Sequence, residues 1–218
     1  MRAFTADALR ELFVALSGRM LLERDELCRL DGLIGDADHG IAMALGMAGA
    51  CAGQAALPSD ANLTDLFNAA AKGFLNAVGA SSGPLYGTAF MRAGVVAGRR
   101  MAMPASETPA LLSAMAAGIA HRGKAPVGQK TMIDAWAPAA TAADRLSQTG
   151  ALTAAGLADI VAAARSGADA TADMVATLGR SARLGVRSLG HRDPGAVSAA
   201  IIIEVICSAL VPLIERDE

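Results

Sequence analysis

The sequence predicts an all-α fold, an up-and-down bundle or barrel of eight antiparallel helices. Apolar residues make up 53% of the chain but aromatic residues only 3%, so the core must consist largely of alanine, leucine and other good helix formers. Apolar residues also recur at helical spacing in successive segments. No alternating strand pattern competes with this helical prediction. The run "IIIEVI" at 201–206, which is rich in strand formers, lies inside a longer helical pattern.

The eight helices follow one another with short connections, which favours antiparallel neighbours. They are predicted at about residues 5–30, 40–55, 62–79, 83–102, 107–122, 130–149, 152–178 and 194–216. Capping residues mark several starts, at Thr5, Asp60 to Thr64, Ser106 and Asp193-Pro194, and glycines mark the ends, at Gly79, Gly123, Gly150 and Gly179. No linker rich in proline or serine divides the chain, so residues 1–218 are predicted to form one domain.

The alternation of helix direction places every second loop at the same end of the molecule. The loops after the first, third, fifth and seventh predicted helices are "DGLIGDADHG", "GASSGPLYG", "HRGKAPVGQKT" and "GRSARLGVRSLGHRDPG". The opposite loops, such as "SQTGALT", carry no comparable cluster of charged residues and glycines. The functional site is therefore predicted at one rim.

Composition excludes several classes of partner. A net charge of −2 gives no basic field for nucleic acid or for an anionic membrane. The N-terminus lacks a signal-peptide pattern, and no apolar run is expected to reach membrane-spanning length. Cys28, Cys51 and Cys207 lie far apart in apolar stretches, so buried free thiols and a cytoplasmic location are predicted.

The loop within "LDGLIGDADHGIAM" carries Asp31, Asp36 and Asp38. Three carboxylates so close together repel one another unless a cation lies among them. Oxygen ligands of this kind suit Mg²⁺, which leaves its other positions to water and phosphate. Gly35 is expected to permit the turn. Three solvated loop aspartates are the alternative.

Helix starts at the same rim predict a site for an anion. Ser81 and Ser82 precede a helix, and so do His39-Gly40 and the segment Asp193-Pro194-Gly195. Backbone N–H groups at helix N-termini attract phosphate, and neighbouring hydroxyls can donate to its oxygens. Ordinary capped turns would look similar when taken one at a time.

The stretch 179–195 carries four arginines among glycines and is long enough to fold over a ligand. Arginine suits phosphate, so acids on one side and arginines on the other indicate a nucleotide site. The sequence has neither the lysine of a Walker A motif in "GASSGP" nor the strands that a Rossmann fold needs.

Four motifs in order, "IGDADHGIAM", "GASSGPLYG", "GKAPVGQKTMIDAW" and "GRSARLGVRSLGHRDPGA", closely resemble the nucleotide-binding L subunit of the dihydroxyacetone kinase family, over essentially the whole chain. The resemblance implies an eight-helix barrel with ADP or ATP at one rim. It implies two Mg²⁺ ions on the three aspartates. It also implies a separate K subunit that binds the ketose covalently through a histidine.

Carried over by motif, the resemblance also implies the individual contacts. The metal ligands would be Asp31, Asp36 and Asp38, and the residues at the phosphates would be His39, Gly40, Ile41, Ala42, Ala80, Ser81 and Ser82. The residues that frame the base, the ribose and the lid would be Gly123, Met132, Arg180, Asp193, Pro194 and Gly195. Arg180 is the predicted catalytic residue, because it would neutralise charge as the γ-phosphoryl group leaves.

The chain departs from the family pattern at four positions. Ala42 stands where the family usually has asparagine, Gln129 replaces an acid, and Arg183 and Val186 replace an aromatic residue and an acid in the lid. The metal ligands are unaffected. The ketose is left open between dihydroxyacetone and a related short ketose such as a four-carbon sugar.

Two modes of phosphoryl supply remain open. In one, ATP is consumed and exchanged; in the other, ADP stays bound and a protein of the phosphoenolpyruvate phosphotransferase system rephosphorylates it. A free-standing L chain favours the second mode. A non-catalytic adaptor or regulator with the same fold is the alternative function, a fatty-acid-binding relative is disfavoured, and a homodimer is also left open.

Overall fold

The computed structural model describes residues 2–79 and 81–214 and is almost entirely helical there. Within these ranges there are nine α-helices: α1 Ala6–Leu22, α2 Arg24–Ile34, α3 His39–Ala55, α4 Leu63–Ala77, α5 Ser82–Ala97, α6 Pro109–Gly123, α7 Ile133–Gln148, α8 Ala154–Ala170 and α9 Pro194–Leu210. Short 3-10 segments lie at Ala105–Glu107, Thr171–Asp173, Ser181–Ser188 and Val211–Leu213. The prediction of an all-α fold is confirmed.

The helices form a closed ring. From α3 to α9 each helix packs against the next one in the chain, and α9 returns to contact both α1 and α2. The predicted helix 5–30 is wrong in one respect, because the chain breaks at Glu23 into α1 and α2. These two helices together occupy one position between α9 and α3, so the ring has the eight positions that the sequence predicts although it contains nine helices.

Small residues let neighbouring helices approach closely. A Cβ added at Gly49 of α3 would lie 2.6 Å from the carbonyl oxygen of Gly73 of α4, and the reverse substitution would also collide with backbone. Aromatic side chains fill the interior instead, with the rings of Phe13 and Phe90 edge to face at 5.1 Å. The buried side chains form one hydrophobic cluster, which includes Trp136.

A short antiparallel sheet was not predicted. β1, Ala3–Thr5, pairs with β2, Ala102–Pro104, and buries Phe4 opposite Met103. Strands of three residues are too short to show an alternating pattern. β2 also lies beyond the true end of α5, since the chain leaves that helix at Gly98 with a φ of +74°.

Two other predicted helix ends are wrong. The helix predicted over 152–178 ends at Ala170 and continues only as a 3-10 turn, because the Thr171 hydroxyl bonds back to the Ala168 carbonyl. The last predicted helix, 194–216, ends at Leu210 in a 3-10 turn that contains Pro212. The predicted caps Thr5 and Asp193 are confirmed, as each accepts a hydrogen bond from the third residue of its helix.

The stretch Pro194–Leu213 is long and apolar enough to cross a membrane, with a mean hydropathy of 2.3, so the expectation about apolar runs was wrong. Half of it is buried against other helices, as expected for a core helix. The prediction of buried thiols is also wrong in part. All three cysteines are free, but only Cys207 is buried, whereas Cys28 and Cys51 are partly exposed.

Candidate functional site

A cavity of about 430 Å³ opens at one rim of the ring. Its walls come from the loops that follow α2, α4, α6 and α8, which are the four loops that the sequence places together. The helices α3, α5, α7 and α9 all begin at this rim. His39, Ser82, Ile133 and Pro194, the first residues of these four helices, line the cavity.

Most of the predicted contact residues line this cavity. They are Asp31, Asp36, Asp38, His39, Ala42, Ser81, Ser82, Gly123, Met132, Arg180, Asp193, Pro194 and Gly195. Gly40 and Ile41 are not among the lining residues. Gly40 packs against the Arg24 carbonyl of α2, where a Cβ would collide, and Ile41 is 49% exposed. Ala80 lies outside the described residues, and its contact with a nucleotide stays a prediction, as do the other roles.

The three aspartates converge as predicted. One carboxylate oxygen from each lies within 4.8 Å of the others. Oxygens around Mg²⁺ at about 2.1 Å are separated by ~3–4 Å, so these side chains fit a hard divalent cation after a small adjustment. Asp31 lies in the last turn of α2 and is 8% exposed, whereas Asp36 and Asp38 are about half exposed.

The turn in the acidic loop is made differently from the prediction. The left-handed residue is Ala37, with a φ of +63°, and it lies between the two exposed aspartates. Gly35 has a negative φ, and glycine is needed there because a Cβ would collide with the Asp31 carboxylate. That carboxylate accepts hydrogen bonds from the N–H groups of Asp38, at 3.0 Å, and His39, at 3.2 Å. Asp31 thus fixes the loop and the start of α3 together.

Arg180 reaches the acidic loop from the segment between α8 and α9. Its guanidinium contacts the carboxylates of Asp36 and Asp38, the latter at 3.0 Å. We call residues 174–192 the lid loop, because its residues 178–181 form one wall of the cavity. The contact places a cationic side chain beside the proposed metal ligands, where it could also meet a phosphate.

Apolar side chains also line the cavity. Leu85, Ile119, Ala120, Met132 and Ile133 contribute to this lining. The cavity therefore has an acidic end, at the three aspartates, that suits a cation and phosphate, and it also has apolar side chains that suit a flat heterocycle such as a base.

Sequence comparison finds relatives over most of the chain. The DAK2 domain family matches residues 33–208. The chain belongs to this family. It is 38% identical over 180 residues to the ADP-binding subunit DhaL of PEP-dependent dihydroxyacetone kinase 1 from Listeria innocua, covering 83% of this chain and 84% of that one. It is 34% identical over 187 residues to the DhaL subunit of the PEP-dependent kinase of Escherichia coli, with 86% and 89% coverage.

A solved structure shows the same architecture as this DAK2 domain. The dihydroxyacetone kinase from C. freundii in complex with AMP-PNP and Mg²⁺ matches with a TM-score of 0.69 and 25% sequence identity. The match covers 92% of this chain and 33% of that chain, so the DAK2 domain corresponds to about one third of the larger kinase.

Ser198 is a residue of this DAK2 domain site that sequence reasoning missed. His39 Nε2 lies 2.9 Å from the Ser198 hydroxyl of α9, which also bonds to the Gly195 carbonyl. Burial lowers the pKa of His39, and the charge of Asp31 opposes this shift. The contact joins residues 159 positions apart, so no local motif could have revealed it.

Asp134 and the burial of the charged groups near it were also missed by sequence reasoning. Asp134 accepts hydrogen bonds from the N–H groups of Gly128 and Thr131 and so shapes the loop before α7. Burial raises the pKa of the Asp193 carboxyl to about 7, although the Ala196 N–H and the charge of Lys130 oppose this shift. These buried polar groups thus fix the starts of α7 and α9 at the rim of the cavity.

Proposed function

We propose that this chain is the nucleotide-binding, phosphoryl-transferring subunit of a kinase for dihydroxyacetone or a related short ketose. One observation carries the proposal: Asp31, Asp36, Asp38 and Arg180 meet in a cavity that also has apolar lining and at which four helices begin. Residues 1–218 would form a single L-type domain. Family membership and the DhaL relatives support this assignment.

The three aspartates would hold Mg²⁺, with two ions as the expected number. When bound, Mg²⁺ supplies positive charge to the β- and γ-phosphates. Backbone N–H groups at the starts of α3, α5 and α9 would bind the phosphate oxygens, together with the hydroxyls of Ser81 and Ser82. The apolar wall around Met132 would hold the base and exclude water from it.

Arg180 is the proposed catalytic residue. Its guanidinium already lies at the acidic end of the cavity, where charge would develop as the terminal phosphoryl group departs. The ketose would come from a K subunit. His39 is engaged by Ser198, and His121 lies exposed at the end of α6. His191 of the lid loop does not line the cavity, so none of the three histidines offers a free covalent ketose site inside it.

Binding is tested with Asp36→Asn. The wild-type chain should bind ADP only with Mg²⁺ present, and the variant should lose this binding while keeping its circular dichroism spectrum. Asp25→Asn is the matched control, because Asp25 lies exposed on α2 outside the cavity. Metal-independent binding by wild-type protein, or full binding by Asp36→Asn, would contradict the assignment of the metal site.

Catalysis is tested by reconstitution with a K subunit, a phosphotransferase-system donor and dihydroxyacetone or erythrulose. Activity should require both subunits and should disappear with Asp36→Asn. A non-catalytic adaptor would lose nucleotide binding in the same variant but would never have supported ketose phosphorylation. Phosphorylation of dihydroxyacetone by the purified chain alone would refute the division of labour.

ADP is proposed as a bound coenzyme, because the two relatives described above are named ADP-binding subunits of PEP-dependent kinases. ADP should then co-purify with the chain and survive dialysis against Mg²⁺-containing buffer. Its complete loss would favour exchange with ATP. A cytoplasmic location and a homodimer are also proposed, and fractionation and light scattering test them.

A further inference from the structure

Several hydrogen bonds join the two chain segments at which the lid loop begins and ends, which we call its neck. The N–H of Gly190 donates to the Ala172 carbonyl at 2.8 Å, and the N–H of Asp193 donates to the Thr171 hydroxyl at 2.9 Å. Higher in the loop, the N–H of Ala176 donates to the Ser188 hydroxyl at 2.9 Å. The two segments that enter and leave the lid loop are therefore hydrogen-bonded to each other, as in a compact Ω-loop.

Lys130 closes this neck from a third segment of the chain. It lies in the loop before α7, with a φ of +59°, and its side chain is almost completely buried. Its ammonium group donates to the Thr171 carbonyl on the entering side and to the His191 carbonyl on the leaving side. Both acceptors are backbone atoms, which gives the lysine a fixed place between the two sides.

A buried ammonium needs compensation, and the surroundings provide it. Burial lowers the pKa of Lys130, while the carboxylates of Asp193, Asp173 and Asp134 oppose this shift. Hydrogen bonds to a charged donor are stronger than neutral ones, particularly away from water. The two bonds from Lys130 should therefore resist opening of the neck.

We propose that Lys130 is a positioning residue that holds the neck of the lid loop closed and so keeps Arg180 over the acidic end of the cavity. The proposal deepens the proposed function, on which its nucleotide-binding part rests. Lys130 also borders the cavity, so direct contact with phosphate is the competing role. Its ammonium group is committed to two carbonyl oxygens, which favours the positioning role.

Limited proteolysis of the nucleotide-free protein separates the two roles. The lid offers trypsin Arg180, Arg183 and Arg187, and cleavage there requires local opening. Lys130→Met keeps the length of the side chain but removes its donors. We expect cleavage in the lid about tenfold faster than in wild type, which corresponds to a neck that opens ~1.4 kcal/mol more easily.

Lys124→Met is the matched control, because Lys124 also has a left-handed backbone in the same loop but is exposed and does not line the cavity. It should leave lid cleavage unchanged. Hydrogen exchange adds a second measurement: the amides of Ala176 and Gly190 should exchange faster in Lys130→Met only. Mg²⁺-dependent ADP affinity should fall about tenfold in the same variant, with the urea midpoint of global unfolding retained.

The outcomes are distinguishable. Weaker ADP binding with unchanged lid cleavage and exchange would assign Lys130 to direct phosphate contact and overturn the proposal. If wild-type protein binds no ADP, the proposed function fails, but the proteolysis result still decides the role of Lys130. If Lys130→Met does not fold, Lys130→Arg decides, since a wider guanidinium should loosen the neck in a folded protein. Wild-type lid cleavage in that variant would overturn the proposal.

Discussion

Asp193 should make the stability of the nucleotide-free protein fall as the pH rises. The carboxyl caps α9 and accepts the N–H of Ala196 at 2.7 Å, but it is almost completely buried. Burial raises its pKa from the ordinary value of 3.8 to about 7, with Lys130 lowering it and Asp134 and Asp31 raising it. The perturbation that removes this titration is Asp193→Asn, since asparagine is also a good N-cap.

The sign and the size follow from proton linkage. Between pH 3.8 and about 7 the native carboxyl holds a proton that the unfolded chain has lost, so the free energy of unfolding falls with pH across this window. For a native pKa of about 7, the loss is ~1.4 kcal/mol between pH 6 and 8 and ~2.7 kcal/mol between pH 5 and 8. His39 acts in the opposite direction, since burial lowers its pKa.

Urea unfolding followed by circular dichroism at pH 5, 6, 7 and 8 measures this effect. The difference in unfolding free energy between wild type and Asp193→Asn isolates Asp193, because His39 contributes equally to both proteins. From pH 6 to 8 the free energy of unfolding of the wild type should fall by ~1.4 kcal/mol relative to that of the variant. Asp159→Asn, on the exposed face of α8, should follow the wild-type pH profile. A wild-type minus variant difference that stays constant from pH 5 to 8 would refute the reasoning.

Three further substitutions test other parts of the site. Gly40→Ala should lower the free energy of unfolding, measured by urea titration, by at least ~2 kcal/mol, because its Cβ would collide with the Arg24 carbonyl. Ser198→Ala should weaken Mg²⁺-dependent ADP binding about fivefold in calorimetry, through loss of the hydrogen bond to His39. Arg180→Gln should slow reconstituted ketose phosphorylation about a hundredfold, yet should tighten Mg²⁺ binding to the nucleotide-free protein, since it removes the guanidinium from Asp36 and Asp38.

The fold was largely predictable because helical periodicity and capping are local signals. The ring order follows from short connections alone, and the N-caps Thr5 and Asp193 are where the sequence places them. The break at Glu23 was not predictable in the same way. Residues on both sides of it are good helix formers, and α2 diverges because it packs between α3 and α9, with the Arg24 carbonyl against Gly40.

The site residues likewise divide into those with a local sequence signal and those that depend on distant partners. Asp31, Asp36 and Asp38 occur within eight positions, so their shared charge is visible in the sequence. Lys130 and Ser198 act through partners that are 41 to 159 residues away, and a lysine in a glycine-containing loop looks like a solvated surface residue. Their roles depend on burial, and burial of a single polar residue in a loop is set by tertiary packing.

The distribution of positive charge explains why this cavity would depend strongly on a divalent cation. Lys130 borders the cavity, but two of its three donors are used on the Thr171 and His191 carbonyls. Arg180 is exposed and contacts the carboxylates of the acidic loop, and Arg122, which also lines the cavity, is exposed to solvent that screens its charge. Helix N-termini contribute only partial charges, which suit binding of phosphate more than neutralisation of its full charge. A nucleotide would therefore bring several negative charges towards three aspartates, and a cation held between them is the arrangement that removes this repulsion.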